Sequence, residues 1–436
     1  MKIFQNIFSV KNENTHKIIN LLGIKIKLYN YKEKLNQTET KCLQLSNEIC
    51  ELHKKIYNSS NQIYDRALDI DNNFVGLYLR LNAATACERF DATELFNKKI
   101  RPLNIEYLSS DTGYIEYLFP NLEGSFDNKI KTEEKPNFFY MGGIYPSREH
   151  THIIAEALKH NEKIYIFEDC FLRSIFSHVY DVEPKLKKSI GYTIDDITHY
   201  IDASLPSRLE KMLNDPNLII TEEQKQRARN CIDKILKTHL SKYNNQPICK
   251  PEIGRAGVKK VLVVDQSFGD WSIIKGQGSE KVFYNMLQKA VSENPDADII
   301  VKTHPDTMSG NREGYYTGLE QHDNIYPMTE PINPISLIKY VDKVYVCTTQ
   351  LGFEALMCGK EVHTFGIPFY SGWGLTIDEQ KCNRRTNTRT LEEIFYIAYI
   401  MYSHYVNPQK KCKCEIEEAM DYLLNLRKEY EESVKK

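Results

Sequence analysis

The chain has 436 residues, 41% of them hydrophobic and 27% charged, an ordinary globular balance with enough apolar material for two cores. Lys and Arg number 57 against 59 Asp and Glu, a formal net charge of −2, which leaves no global electrostatic case for nucleic acid as a partner. Eleven cysteines, scattered and odd in number, point to reduced thiols rather than a disulfide framework, and Cys412 with Cys414 has no second pair or histidine to complete a metal site.

In chain order, residues 1–8 lack the apolar run of a secretory signal, and no stretch approaches about 18 uninterrupted apolar residues, so a cytoplasmic protein is expected. Residues 1–45 read as a basic amphipathic N-terminal arm in which Lys17, Lys25 and Lys27 are interleaved with Ile and Leu. Two readings stand: a patch resting on an anionic membrane surface, or a half-buried strand over residues 24–28 with solvated lysines.

From Lys135 the pattern becomes α/β. Residues 137–141 form a short apolar strand, Gly142 and Gly143 a turn, 147–160 a helix, and 163–167 a second strand that runs out at Glu168 and Asp169. Residues 191–203 carry β-type side chains broken by Asp195 and Asp196, and Pro206 with Ser207 opens an amphipathic helix. A polar segment over 243–254 reads as a linker. The rhythm then restarts with a strand at 260–264, a helix at 279–294, strands at 298–302 and 342–347, a helix at 350–358 stopped by Gly359, and a strand at 361–365. The pattern predicts an α/β protein with two Rossmann-like domains facing a central cleft, over 46–250 and 255–394, and C-terminal helices over 395–436 packing back on the first domain.

Open α/β sheets hold ligands at the carboxyl ends of their strands, and four strand-end loops carry chemistry. In the loop of Lys302, His304 and Pro305 a strand delivers a cation and an imidazole while the proline fixes the exit; this suits a phosphate-bearing donor, against the alternative of a backbone-satisfied buried histidine. Around Thr348, Thr349, Gly352 and Glu354, hydroxyls and unpaired N–H groups at a helix N-terminus make an anion site, with Glu354 either an acceptor for a ribose or base, or a surface charge. Glu168 and Asp169 are carboxylates able to manage an acceptor hydroxyl proton, or else caps of the next turn, and Arg173 beside Ser174 offers a fork for a sugar carboxylate or phosphate. The fourth loop holds Asp265, Gln266, Asp270 and Ser272, then Gly276, Gly278 and Ser279; it is neither a P-loop nor a dinucleotide fingerprint.

Together and in this order, these loops resemble the capsule polysaccharide synthesis family that contains the bacterial β-Kdo transferases of the KpsC and KpsS type. The likeness runs from about residue 140 to residue 408. Its pieces are Phe-Glu-Asp-Cys-Phe-Leu-Arg-Ser at 167–174, Val-Asp-Gln-Ser-Phe-Gly-Asp at 264–270, Lys-Thr-His-Pro-Asp at 302–306, Gly-Phe-Glu-Ala-Leu at 352–356 and Pro-Phe-Tyr-Ser-Gly-Trp-Gly-Leu-Thr at 368–376. The resemblance implies a metal-independent enzyme of the GT-B architecture that needs no cofactor. It would move Kdo from CMP-β-Kdo to a capsule-type glycolipid or saccharide, with retention at the anomeric carbon. By that likeness His304 and Glu354 handle CMP, and Lys302, Pro305, Thr348, Thr349, Gly352, Gln266 and Ser272 are the accompanying donor-binding candidates.

Retention is most simply two inversions through a glycosyl-enzyme, for which Asp270 is the candidate nucleophile and Asp265 its runner-up; Glu168 is the candidate base, with Asp169 orienting its loop. Arg173, Ser174 and Trp373 are assigned to the sugar carboxylate or the acceptor. Expected partners are the CMP-Kdo donor, a lipid-linked acceptor, the inner face of the cytoplasmic membrane and capsule assembly proteins, with no nucleic acid. Transfer of another CMP-ulosonic acid or nucleotide sugar, and a non-catalytic capsule assembly or export role, are the alternatives. Cys170 stands where the family usually has glycine, and the chain carries one such module where many relatives carry two.

Overall fold

The computed structural model describes residues 8–13, 16–21, 24–28, 61–87, 89–102, 113–123, 136–144, 147–304, 307, 312–321 and 323–434. The chain divides into two units, Met1–Val75 with Pro146–Lys163, and Gly76–Tyr145 with Ile164–Lys436. In the first unit, β1 (Phe8–Glu13), β2 (His16–Leu21) and β3 (Ile24–Leu28) form an antiparallel meander in that order. Its register sets Val10 opposite Ile19 and Ile19 opposite Ile26. The directions of Lys17, Lys25 and Lys27, on which the membrane reading turns, lie outside the described residues. The same unit holds the helix Arg148–His160, started by the Ser147 hydroxyl accepting from the His150 N–H at 3.1 Å and ended by left-handed Asn161.

The second unit carries β4 (Phe139–Gly142), β5 (Ile164–Asp169), β6 (Gly191–Asp195), β7 (Lys260–Val264), β8 (Asp298–Lys302), β9 (Ile325–Met328), β10 (Lys343–Val346), β11 (Glu361–Thr364), β12 (Ile377–Asp378), β13 (Ser403–Asn407) and β14 (Cys412–Cys414). They build two sheets, so the fold is mixed α/β. One sheet has the order β12-β11-β10-β7-β8-β9 and is parallel throughout. Read from β9 to β12 this is the Rossmann order, two strands beyond β7 on one side and three on the other. Its central strand is buried on both faces: Leu262 and Val264 join the large core with Phe353 and Trp373, whereas Val261 and Val263 pack with Phe283 and Met286 of the helix Glu280–Glu293. That double burial is why β7 reads as an unbroken apolar run.

The other sheet, β14-β13-β6-β5-β4, departs from a Rossmann sheet. Only β4 and β5 are parallel; β6 runs antiparallel to both β5 and β13, and β14 closes a hairpin with β13. Residues 395–436, read from sequence as helices, therefore also contribute two strands before the helix Ile416–Val434. Side chains from both sheets share one core, in which Phe171, Phe353, Phe369 and Tyr399 pack in stacked and tilted pairs with centroids 4.6–5.6 Å apart. Each such buried ring contributes on the order of 1.5–3 kcal/mol by its removal from water. Among the described residues, no helix is long and apolar enough to cross a membrane.

Candidate functional site

The parallel sheet reverses its winding between β7 and β10, the crevice where such sheets take ligands. The two strand exits are tied together there. Gln266 Oε1 accepts from the Thr348 N–H at 2.9 Å, and Gln266 Nε2 donates to Thr348 Oγ1 at 3.1 Å. Gly276 packs against the same threonine, since a Cβ there would fall 2.4 Å from Thr348 Cγ2. Gln266 and Thr348 thus shape the crevice floor, and their hydrogen bonds are largely used within the protein. Thr349 accepts from the Leu351 N–H at 3.3 Å, and Gly352 sits under Tyr370, whose hydroxyl reaches the Thr349 carbonyl at 2.7 Å.

At the β8 exit, His304 Nδ1 lies 3.0 Å from the Ser267 hydroxyl. Lys302 is buried and its Nζ donates to the Glu330 carbonyl at 3.0 Å. Burial pushes this ammonium down to about 8, Glu330 acting in the opposite sense. Pro305 lies outside the described residues. Asp265 is buried and accepts from the N–H groups of Gln266 and Tyr315, both at 2.9 Å. Burial outweighs the lowering effect of these bonds and lifts the carboxyl to about 6.

Asp270 is half-exposed. It caps the short helix Trp271–Lys275, with Oδ1 accepting from the Ser272 N–H at 2.8 Å and the Ser272 hydroxyl at 2.6 Å, and its Oδ2 lies 3.8 Å from Arg312. Gly269 precedes it at φ 73° with open space where a side chain would stand. Glu354 is 3% exposed and accepts from Ser241 Oγ at 2.6 Å and Gln350 Nε2 at 3.3 Å. Burial, only partly countered by those two donors, raises its carboxyl to about 7. In this structure it is therefore a buried brace rather than the surface charge or open ribose acceptor read from sequence.

Across the crevice, β5 ends on Glu168 and Asp169. Glu168 Oε2 lies 3.3 Å from His199 Nε2, and His199 Nδ1 accepts from the Ile201 N–H at 3.0 Å. Because Nδ1 is the acceptor, the ring proton sits on Nε2, which is near the carboxylate but not aligned for a hydrogen bond to it. Burial works against ionisation of Glu168, but His199 and the Lys242 ammonium outweigh it and hold the carboxyl well below the usual range. Asp169 is engaged by Arg173 Nε at 2.5 Å. Arg173 is itself buried, with Nη1 donating to Ser174 Oγ at 2.8 Å and the Lys187 carbonyl at 2.6 Å. The Ser174 hydroxyl donates to the Phe176 carbonyl at 2.7 Å. The fork assigned to a sugar carboxylate is thus spent on bracing the loop, and Ser174 is equally enclosed. Cys170 in the family's glycine position is accommodated by a glycine opposite: a Cβ on Gly191 would meet its Sγ at 2.1 Å.

Trp373 is also not at a surface. It is fully buried, its indole N–H donating to the Phe369 carbonyl at 2.8 Å, with Arg385 5.5 Å above the ring. Arg385 and Arg384 both reach Glu210 of the helix Arg208–Asn214, at 3.1 and 2.7 Å. The Gly-Trp-Gly segment is therefore a joint between the chain around the two sheets. Further ties bridge the crevice: Gln350 Nε2 to the Phe171 carbonyl at 2.8 Å, the Ala203 N–H to the Lys275 carbonyl at 3.0 Å, and Lys275 Nζ to Asp202 at 3.5 Å.

Sequence reasoning missed His199, Ser267 and Lys242. The strand-end rule applied to β6 would have found His199. Ser267 lay within a loop already singled out, but its partner was not visible. Lys242 follows a helix and a turn, and no local pattern marks it. Among the described residues no group of three or more His, Cys, Asp or Glu is placed to hold a metal ion.

A sequence profile described as capsule polysaccharide biosynthesis protein matches residues 143–409, which include all of the loops above. Among curated proteins, the capsule polysaccharide modification protein LipA of Neisseria meningitidis serogroup B is 41% identical over 283 residues, 63% of this chain and 39% of LipA. The lipopolysaccharide-processing protein LpsZ of Rhizobium meliloti is 34% identical over 265 residues, 61% of this chain and 59% of LpsZ. The chain thus spans less than two thirds of the length of either relative. Among solved structures, Thermosulfurimonas dismutans KpsC, titled a β-Kdo 2,4 transferase, superposes with a TM-score of 0.67 at 30% identity, covering 75% of this chain and 99% of that one. By this match across more than half its length, the chain belongs to the capsule polysaccharide biosynthesis protein family.

Proposed function

We propose that this chain is a retaining glycosyltransferase of the GT-B type that moves Kdo from CMP-β-Kdo onto a capsule-type glycolipid or saccharide and forms a β-Kdo linkage. The observation that carries the reading is the likeness to the KpsC β-Kdo 2,4 transferase over 99% of that chain. Two facing sets of strand exits support it, one rich in cations and hydroxyls, the other in carboxylates. In this reading CMP lies at the β7–β10 crevice, its phosphate near Lys302 and His304 and the helix that follows Thr349.

Asp270 Oδ2 attacks the anomeric carbon as the bond to the phosphate oxygen breaks and CMP leaves. The open approach at Gly269 and the half-exposed carboxylate favour Asp270 over enclosed Asp265. The acceptor hydroxyl then displaces the aspartate from the opposite face, and its proton passes to Glu168; two inversions give retention. Glu168, kept ionised by His199 and Lys242, is a standing hydrogen-bond acceptor that orients the hydroxyl before the proton moves. The proposed acceptor is presented at the inner face of the cytoplasmic membrane.

The test is incubation of the purified chain with CMP-Kdo and a Kdo-terminated glycolipid, following CMP release and the anomeric configuration of the product by NMR. Release of CMP with a β-configured product is expected. An α-configured product refutes retention, and transfer from other nucleotide sugars with CMP-Kdo inert refutes the donor.

A further inference from the structure

Lys242 stands where the two sheets' loops meet. Its neighbour Ser241 holds Glu354 of the parallel-sheet side, and its own carbonyl accepts from the N–H groups of Arg173 and Ser174, both at 3.2 Å, on the β5 side. The backbone is therefore fixed from both directions. The ammonium is not: among the described residues no carboxylate lies within ion-pair distance of Nζ, which stands 5.9 Å from the centroid of the Tyr243 ring. Burial works against its charge, and Glu168 and Asp169, acting through space, favour it. Each of those carboxylates already has a closer partner, Glu168 in His199 and Asp169 in Arg173. What remains is a half-buried cation, preorganised and without a direct counter-ion, beside the carboxylate proposed to meet the acceptor. Lys302 and Arg173 do not offer this, because both donate to backbone carbonyls of the protein.

We infer that Lys242 is the specificity-determining residue for the sugar's own carboxylate, the group that separates an ulosonic acid from a neutral sugar on the same nucleotide. This rests on the donor reading above and deepens it. A carboxylate on the anomeric carbon must sit next to the reacting bond, and the Lys242 ammonium, on the Glu168 side of the crevice, gives it a charge-assisted hydrogen bond. A neutral sugar would leave the lysine without that partner, so the discrimination is written into one side chain.

Initial rates of CMP release give KM for CMP-Kdo and, with CMP as competing inhibitor, Ki for the nucleotide alone. CMP has the phosphate but not the sugar carboxylate. Lys242→Met keeps the stem and removes the charge; KM for CMP-Kdo is expected to rise on the order of 10- to 100-fold while Ki for CMP moves less than about twofold. Lys242→Arg restores most of the lost KM. An unchanged KM, or KM and Ki rising together in the Met variant, overturns the assignment, the second result marking a lysine that only supports the fold or senses the phosphate. Should Lys242→Met fail to fold, the Arg variant decides alone, because a shift of Ki equal to that of KM rejects the proposal. A parent chain that releases no CMP from CMP-Kdo removes the donor reading itself, and this inference with it.

Discussion

Glu354→Gln tests the buried carboxyl that braces the helix Leu351–Met357 against Ser241. Burial lifts this group from the ordinary 4.5 to about 7, which at 1.36 kcal/mol per pH unit amounts to roughly 3 kcal/mol. Folding raises the pKa, so the native state holds the proton where the unfolded chain releases it. Stability is therefore full below about 4.5, falls as the pH climbs, and has lost the whole amount above about 7. Glutamine keeps the shape and still accepts from Ser241 Oγ and Gln350 Nε2, but it has no charge to bury. Urea unfolding of parent and variant from pH 4.5 to pH 8 should show curves that diverge, the variant gaining roughly 3 kcal/mol on the parent across that window. Parallel profiles would refute the buried-carboxyl account and point to an open, solvated Glu354.

Asp270→Asn should lose transfer by several orders of magnitude while Ki for CMP stays within about twofold, and because Asn caps helices as well as Asp, thermal unfolding should hardly move; near-normal turnover would clear Asp270 of a covalent role. Gly352→Ala places a Cβ 2.1 Å from the Tyr370 hydroxyl, so overpacking should destabilise the fold by about 1–3 kcal/mol, and Tyr370→Phe in the same chain should recover part of it in a double-mutant denaturation cycle. CMP should bind in EDTA with the parent protein, and His304→Ala should weaken that binding about tenfold, read by calorimetry; equal affinity would remove His304 from the phosphate.

What the sequence reveals, and what it hides, follows from how local each signal is. Strands β7 and β8 coincide with the runs at 260–264 and 298–302 because burial on both faces makes their interiors continuously apolar, with charged residues only at their ends. The helix Glu280–Glu293 is bracketed by its own cap, Ser279. By contrast β9 contains Pro327, which argues against a strand until its place at the sheet edge is known. Strand β13 is defined by pairing with β6, distant in sequence, and its short Ser-His-Tyr-Val-Asn run follows directly on helical residues.

The same divide runs through the site. Glu168, Asp270, Lys302 and His304 are legible because strand ends are. Arg173 looks like a ligand from its position and becomes a brace only because Asp169, four residues earlier, and the Lys187 carbonyl close on it. Whether a charged group faces solvent or a partner depends on contacts that no local window contains.

The pairing of β6 with β13 sets a constraint on how the chain is made. Strand β6 leaves the ribosome with β5 along one edge, but the strand that covers its other edge is synthesised only after the whole parallel sheet. Until then β6 presents a row of unpaired N–H and C=O groups to whatever lies nearby. A fragment ending before Ser403 keeps that edge open permanently, so the mixed sheet is not a module that can be cut out at the linker, and nascent chains stalled short of β13 are the ones most in need of a chaperone.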